Sequence, residues 1–183
     1  MRPGVLLDRD GVLSRVVLRE GRGVSPRSFA EFELLPGVRV AVRSLRAAGL
    51  PVVVVTNQPD IARGLLAPDE LERMHAHLRK HVPLERIYTC THDDADRCAC
   101  RKPRPGLLLR AAAEFQLDLE RSWMVGDSWK DVEAARAAGC RMIFVAGTHA
   151  ESGTSRPERV AVSLPDAVEI ILSEVGGKKV AGG

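Results

Sequence analysis

Val5-Leu6-Leu7-Asp8-Arg9-Asp10-Gly11-Val12-Leu13 is the stretch on which the reading of this chain turns. An apolar run of this length, bounded by turn residues, reads as a buried strand of a parallel sheet. The carboxyl end of such a strand is where an open α/β sheet places its ligand site. Alternation along the strand points Asp8 and Asp10 the same way, so two carboxylates converge beyond its tip. Like charges so placed repel unless a cation lies between them or one holds a proton. That is the arrangement a metal-assisted aspartyl nucleophile needs. Asp and Gly are also common turn residues, so the stretch alone leaves a plain Asp-rich turn open as well.

Composition narrows the setting. The chain has 183 residues, 45% apolar and 28% charged, which suits one globular domain with its own core. That domain is expected over residues 1–175, with 176–183 as a flexible tail. A net charge of +3 is too small to argue for nucleic acid. No apolar run reaches membrane-spanning length and the N-terminus lacks a signal peptide's apolar core, so a cytoplasmic monomer acting on a small molecule is the default expectation. Three of the four cysteines fall within residues 90–100, and clustered cysteines in such a chain point to metal or redox chemistry.

Outward from the first strand, residues 14–36 show no clear periodicity and read as a loop or flap over the strand tip. A helix follows to Ala48, with Val38, Val42 and Leu45 on one face, and Gly49 closes it. Residues 51–56 form a β-branched buried strand ending at Thr56-Asn57-Gln58. A helix from Pro68 to about Lys80 precedes a short strand over 86–89 and the cysteine loop. Then come a helix over 105–115, a strand over 122–125 ending at Gly126-Asp127, a helix over 129–138, and a strand over 141–145. An edge strand over 160–163 and an amphipathic helix over 165–175 complete the order. Strands alternating with helices predict an α/β fold, a parallel sheet covered by helices on both faces.

The chemistry-bearing side chains sit where strands end. Thr56 offers a hydroxyl and Asn57 an amide; Arg101-Lys102 is a cation pair stiffened by Pro103 and Pro105. Asp127 and Asp131 lie one helical turn apart at a strand-to-helix junction, so both carboxylates can face one ion. As a set these residues supply what phosphoryl transfer requires: carboxylates to bind Mg²⁺ and attack phosphorus, a hydroxyl and an ammonium to hold the equatorial oxygens. Cys90-Thr91-His92 and Cys98-Ala99-Cys100 bring three sulfurs and an imidazole together, a set that suits tetrahedral Zn²⁺ in a structural site. A dithiol redox pair and unrelated core cysteines are the other readings. His77 and His81 are spaced for a metal but lack a third ligand and read as a solvated helix face, Cys140 as core, and His149 as surface.

Asp8-Arg9-Asp10-Gly11-Val12, Thr56, Lys102 and Gly126-Asp127-Ser128-Trp129-Lys130-Asp131 resemble the four ordered motifs of the haloacid dehalogenase (HAD) superfamily. The resemblance spans nearly the whole chain. It implies a Rossmann-like fold without a large cap domain, and a Mg²⁺-dependent phosphomonoester hydrolase working through an aspartyl-phosphate. By it, Asp8 is the nucleophile, Asp10 the general acid and base, and Thr56 and Lys102 the groups steadying the phosphoryl. Asp127, the Asp8 carboxylate and the Asp10 backbone carbonyl would bind Mg²⁺, with Asp131 in or near the shell around it. The zinc loop, Cys90, His92, Cys98 and Cys100, followed by Arg101-Lys102-Pro103, is similar to the subgroup holding heptose 1,7-bisphosphate and histidinol-phosphate phosphatases. A heptose bisphosphate is then the expected substrate, with Asn57, Gln58 and Arg101 as binding residues and histidinol phosphate as the alternative. Pro59-Asp60 stands where the heptose enzymes usually carry Ser-Gly, which puts an acid near an anionic substrate. A phosphotransferase and a zinc-stabilised binding module are the other classes the residues admit.

Overall fold

A computed structural model describes residues 1–146 and 157–177 of the chain. Val5–Leu7 forms β1, with no side chain exposed to solvent, inside a six-stranded sheet. Its neighbours are β4 (Val52–Asn57) on one side and β6 (Trp123–Gly126) on the other. Outside β4 lies β5 (Arg86–Cys90); outside β6 lie β7 (Arg141–Val145) and the edge strand β8 (Arg159–Ala161). Every pairing in this sheet is parallel. The chain runs outward from β1 through β4 to β5, then returns to the other side of β1 and runs outward again. That reversal opens a crevice at the carboxyl ends of β1, β4 and β6.

Two cores follow from the alternation of strand side chains. Val5, Leu7, Val52 and Val54 face α1 (Val38–Ala47), α2 (Pro68–His81) and α5 (Leu164–Gly177). Leu6, Val53 and Val55 face α3 (Gly106–Phe115) and α4 (Trp129–Ala138). Helices therefore cover both faces, as the order of elements predicts. Gly49 takes φ +81° just past α1, the left-handed position expected of a helix-closing glycine.

The stretch expected as an unstructured flap contains a small antiparallel hairpin, β2 (Val17–Arg19) and β3 (Arg22–Val24), and a 3₁₀ turn over Phe29–Glu31. Glu20 and Gly21 both have positive φ, the tight turn that suits the twist of a hairpin. Three-residue strands carrying arginines are too short to show a period of two, which is why the pattern was invisible. The edge strand ends at Ala161 rather than at residue 163, because Ser163 starts α5: its hydroxyl accepts from the Asp166 amide, and the Asp166 carboxylate accepts from the Val162 amide. Helix α5 runs through Gly177, two residues into the expected tail, with Val175 still against the core. The rest of that tail, 178–183, and His149 lie outside the described residues. No helix among the described residues is long and apolar enough to cross a membrane.

Candidate active site

Asp8 leaves β1 with its amide still bonded to the Val125 carbonyl, so its carboxylate stands over the seam between β1 and β6. The chain then turns back at once, with the Leu13 and Ser14 amides both donating to the Arg9 carbonyl. Gly11 sits in that turn at φ +83°, and a Cβ there would lie 1.8 Å from an Asp127 carboxylate oxygen. Glycine is needed both for the backbone conformation and for the approach of Asp127. Gly126 on β6 is needed for close approach alone, since a Cβ there would come within 2.4 Å of the Asp131 side chain.

Carboxylate oxygens of Asp8, Asp127 and Asp131 lie within 4.8 Å of one another. The ammonium of Lys102 reaches into this group, 2.6 Å from Asp131, 3.0 Å from Asp8 and 2.9 Å from the Val55 carbonyl. Lys102 is buried, contrary to its look of a surface cation in the sequence. Burial works against its charge, but Asp131 and Asp8 outweigh that and hold its pKa above the ordinary lysine value. One ammonium does not balance three carboxylates. Burial, with repulsion from Asp131 and Asp10, lifts Asp8 to about 7 against the pull of Lys102. Burial and the neighbouring Asp8 and Asp131 lift Asp127 to about 9. Hard oxygen donors carrying this excess of negative charge fit a divalent cation such as Mg²⁺. Asp131 gives both oxygens to protein partners, one to Lys102 and one to the Ser128 amide and hydroxyl. Asp8 and Asp127 are thus the carboxylates left to face an ion. Asp131 acts as the capping residue of α4 and the anchor of Lys102 rather than as a partner in holding that ion.

Asp10 is held by a different set of partners. Its carboxylate accepts from Nε and one terminal amine of Arg9 at 2.9 and 2.8 Å, from Ser14 at 2.8 Å and from Gln58 at 2.9 Å. Burial opposes its ionisation, but Arg9 and Gln58 more than offset this and its pKa falls below the usual range. Arg9 and His75 stand behind the site and support Asp10, a placement that sequence reasoning missed. Arg9 is wholly buried, with its remaining amine 3.2 Å from His75 Nε2 and its guanidinium over the Phe32 ring. Burial and the Arg9 charge push His75 down to about 3, so it stays neutral beside the guanidinium. A fully buried arginine runs against residue statistics, and no periodicity signals it.

The residues expected to bind substrate divide into two kinds. Arg101 and Asn57 line a cleft of about 270 Å³ together with Asp8, Asp10, Thr56, Lys102 and Asp127. Within it, Asn57 spends its amide on the backbone of Lys102, accepting from N at 3.1 Å and donating to O at 2.9 Å, so it fixes the lysine. Arg101 pairs with Asp94 at 2.7 Å, while its other terminal amine is buried without a partner. Gln58 lies behind the cleft, fully buried, donating to Asp10 and to Thr56 Oγ1. A larger groove of about 860 Å³ adjoins the cleft at Gly11 and Asp127, but it is mainly apolar and holds neither Asp8 nor Lys102.

The cysteine loop closes as expected. Sulfurs of Cys90, Cys98 and Cys100 stand 3.3–3.6 Å apart, with His92 Nδ1 3.3 Å from Cys100 and 3.5 Å from Cys90. All are free thiols. A tetrahedral zinc site with Zn–S near 2.3 Å has sulfurs about 3.8 Å apart, close to this spacing. The loop is braced from below: a Cβ at Gly106, the first residue of α3, would meet the Ala99 carbonyl at 2.3 Å. His77 and His81, by contrast, stack on each other with His77 against Phe29 and Phe32, so they are only half-exposed and form an aromatic contact rather than an open face.

Comparison with known proteins points the same way. Residues 15–139 match the family model for haloacid dehalogenase-like hydrolase, a stretch that begins just after Asp8 and Asp10. A Pseudomonas putida D-glycero-beta-D-manno-heptose-1,7-bisphosphate 7-phosphatase is 39% identical over 146 residues, covering 77% of this chain and 81% of the relative. A Mycobacterium tuberculosis D-glycero-alpha-D-manno-heptose-1,7-bisphosphate 7-phosphatase is 38% identical over 155 residues, covering 78% and 79%. The crystal structure of the D,D-heptose 1,7-bisphosphate phosphatase from B. bronchiseptica, complexed with magnesium and phosphate, matches with a TM-score of 0.80 at 32% identity, covering 94% of this chain and 99% of that one.

Proposed function

The chain belongs to the haloacid dehalogenase-like hydrolases and is a phosphatase, and on that premise we propose that it removes the 7-phosphate of a D-glycero-D-manno-heptose 1,7-bisphosphate. The observation that carries this reading is the convergence of Asp8, Lys102 and Asp127 at one sheet edge, beside a cleft that also presents the unpartnered amine of Arg101.

In this reading the Asp8 carboxylate attacks phosphorus, the ester bond to the sugar oxygen breaks, and an aspartyl-phosphate forms. Lys102 keeps Asp8 available as an anion and adds positive charge beside the phosphoryl oxygens. Asp10, held as a carboxylate by Arg9, would take up the proton that a phosphate monoester brings with it and pass it to the leaving alkoxide, then take one from the water that cleaves the aspartyl-phosphate. Arg9, Ser14 and Gln58 aim its carboxylate for that exchange. Thr56 borders the cleft and steadies the transferred group with its hydroxyl. Asp8 and Asp127 would hold Mg²⁺, which when bound neutralises charge on the phosphoryl oxygens. Cys90, His92, Cys98 and Cys100 would hold Zn²⁺ in a structural role, stiffening the segment that delivers Arg101 and Lys102.

Phosphate release with Mg²⁺ across a panel tests the reading. The panel holds both anomers of the heptose 1,7-bisphosphate, histidinol phosphate and simple sugar phosphates. A dominant kcat/KM for a heptose bisphosphate, abolished in Asp8→Asn, is expected. Preference for histidinol phosphate would overturn the substrate, and an active Asp8→Asn protein would overturn the mechanism.

A further inference from the structure

Asp60 is an oddity in an anion-binding cleft until its partners are seen. It is buried, and its carboxylate receives Arg27 Nε at 2.7 Å and Arg63 at 3.5 Å. Arg63 in turn makes a two-pronged contact with Asp93, at 3.0 and 2.6 Å, and Arg101 pairs with Asp94 at 2.7 Å. Alternating charges thus run from the loop after the β2–β3 hairpin, through the loop after β4, to the cysteine loop. Arg27, Asp60, Arg63, Asp94 and Arg101 all line the cleft that holds Asp8 and Lys102.

We propose that Arg27 is the specificity-determining contact for a second anionic group on the substrate, and that Asp60 is the positioning residue that presents it. The inference deepens the reading of the site as a sugar bisphosphate phosphatase and rests on it. Asp60 takes only the Nε edge of Arg27, leaving its two terminal amines without a partner among the described residues. The Arg27 backbone is tied down as well, its amide donating to Glu31 at 2.8 Å, and Glu31 is held by Arg19 of β2. The side chain is therefore fixed at two points while its donors stay open. Arg63 is more heavily committed, since each of its three nitrogens already contacts Asp60 or Asp93.

The cleft is then lined by two guanidinium groups with donors that no protein atom takes up, the open terminal amines of Arg27 and one buried amine of Arg101, in addition to the machinery at Asp8. A second phosphate brings acceptor oxygens with the charge and geometry that guanidinium groups bind best. Asp60 makes this possible by neutralising Arg27 and Arg63 in the empty cleft without occupying the face of Arg27 that a ligand needs. An alanine or glycine at this position would leave Arg27 free to swing into solvent, at an entropic cost to every binding event.

The test compares wild type, Arg27→Gln, Asp60→Asn and the double variant on two substrates, the heptose 1,7-bisphosphate and p-nitrophenyl phosphate, with melting temperatures for each protein. Arg27→Gln is expected to raise KM for the bisphosphate about 10- to 100-fold, the worth of a charge-assisted contact, with kcat little changed. Its kcat/KM for p-nitrophenyl phosphate should stay within about twofold of wild type, because that ester carries no second anion. Asp60→Asn should show the same split in smaller measure, and the double variant should lose little beyond Arg27→Gln alone, since Asp60 acts through Arg27. Equal losses on both substrates, additive losses in the double variant, or an unchanged bisphosphate KM would overturn the proposal. A wild-type enzyme that ignores the heptose ester but prefers a different sugar bisphosphate, lost selectively in Arg27→Gln, would refute the heptose assignment while supporting the second-anion contact.

Discussion

Replacing Lys102 by Met keeps most of the side-chain volume and removes the one ammonium, among the described residues, in contact with Asp8 and Asp131. Asp131 is wholly buried and Asp8 nearly so, so the variant leaves carboxylates in the interior without their cation. Breaking a buried ion pair from one side costs about 3–5 kcal/mol. For a domain of this size each kcal/mol moves Tm by about 2–4 °C, so a fall of roughly 6–20 °C is expected. The damage to activity has a separate origin. Asp8 already sits at about 7 with Lys102 beside it. Without that cation the metal-free carboxyl is held higher still, so Mg²⁺ must displace a proton to load onto Asp8. Together with the lost charge beside the phosphoryl group, this should cut kcat by about 10²–10³-fold or more. Thermal melts by circular dichroism and phosphate-release kinetics at pH 7, on Lys102→Met and on a Lys102→Arg control, measure both effects. A Lys102→Met protein with unchanged Tm and kcat within about tenfold of wild type would refute the account of Lys102 as the pivot of the site.

Cys98→Ser should bring the bound zinc measured by elemental analysis down from one equivalent and lower Tm, with kcat falling because Arg101 and Lys102 follow the loop directly; unchanged zinc content would remove Cys98 from the ligand set. His75 predicts a pH effect on folding with a definite sign. Its folded pKa is depressed to about 3 from 6.5, so below pH 6.5 the unfolded chain takes up a proton that the folded chain refuses. Stability owed to this group is complete above that pH and falls as pH drops toward 3, by about 1.4 kcal/mol per unit in the steep part of the window. Urea midpoints at pH 7 and pH 5 should therefore lie farther apart in wild type than in His75→Gln, and equal separations would sink the assignment of His75 as a neutral partner of Arg9.

Local sequence was enough for the strands of the main sheet, for the helices and for the kind of chemistry, though not for the β2–β3 hairpin. The β-branched and apolar runs at Val5–Leu7 and Val52–Thr56 can lower their free energy only by burial on both faces, so strands there follow from hydrophobicity and chain stiffness alone. Gly11 and Gly126 mark sites where a side chain is sterically barred and Gly49 a left-handed helix end, and Asp8, Asp127 and the cysteine spacing announce the kind of chemistry because few other jobs use those residue types together. Partnerships were a different matter. Arg9 with His75, Gln58 with Asp10, Lys102 with Asp131 and Asp60 with Arg27 join residues 29 to 66 positions apart. An ionisable side chain far from its partner in sequence looks like any surface charge, and only the fold sets whether it is desolvated and what it meets there. Tertiary structure thus turned an apparent surface lysine into the buried cation of the site, and an acid that should repel substrate into the brace of an arginine, because burial makes pairing obligatory and packing chooses the pair.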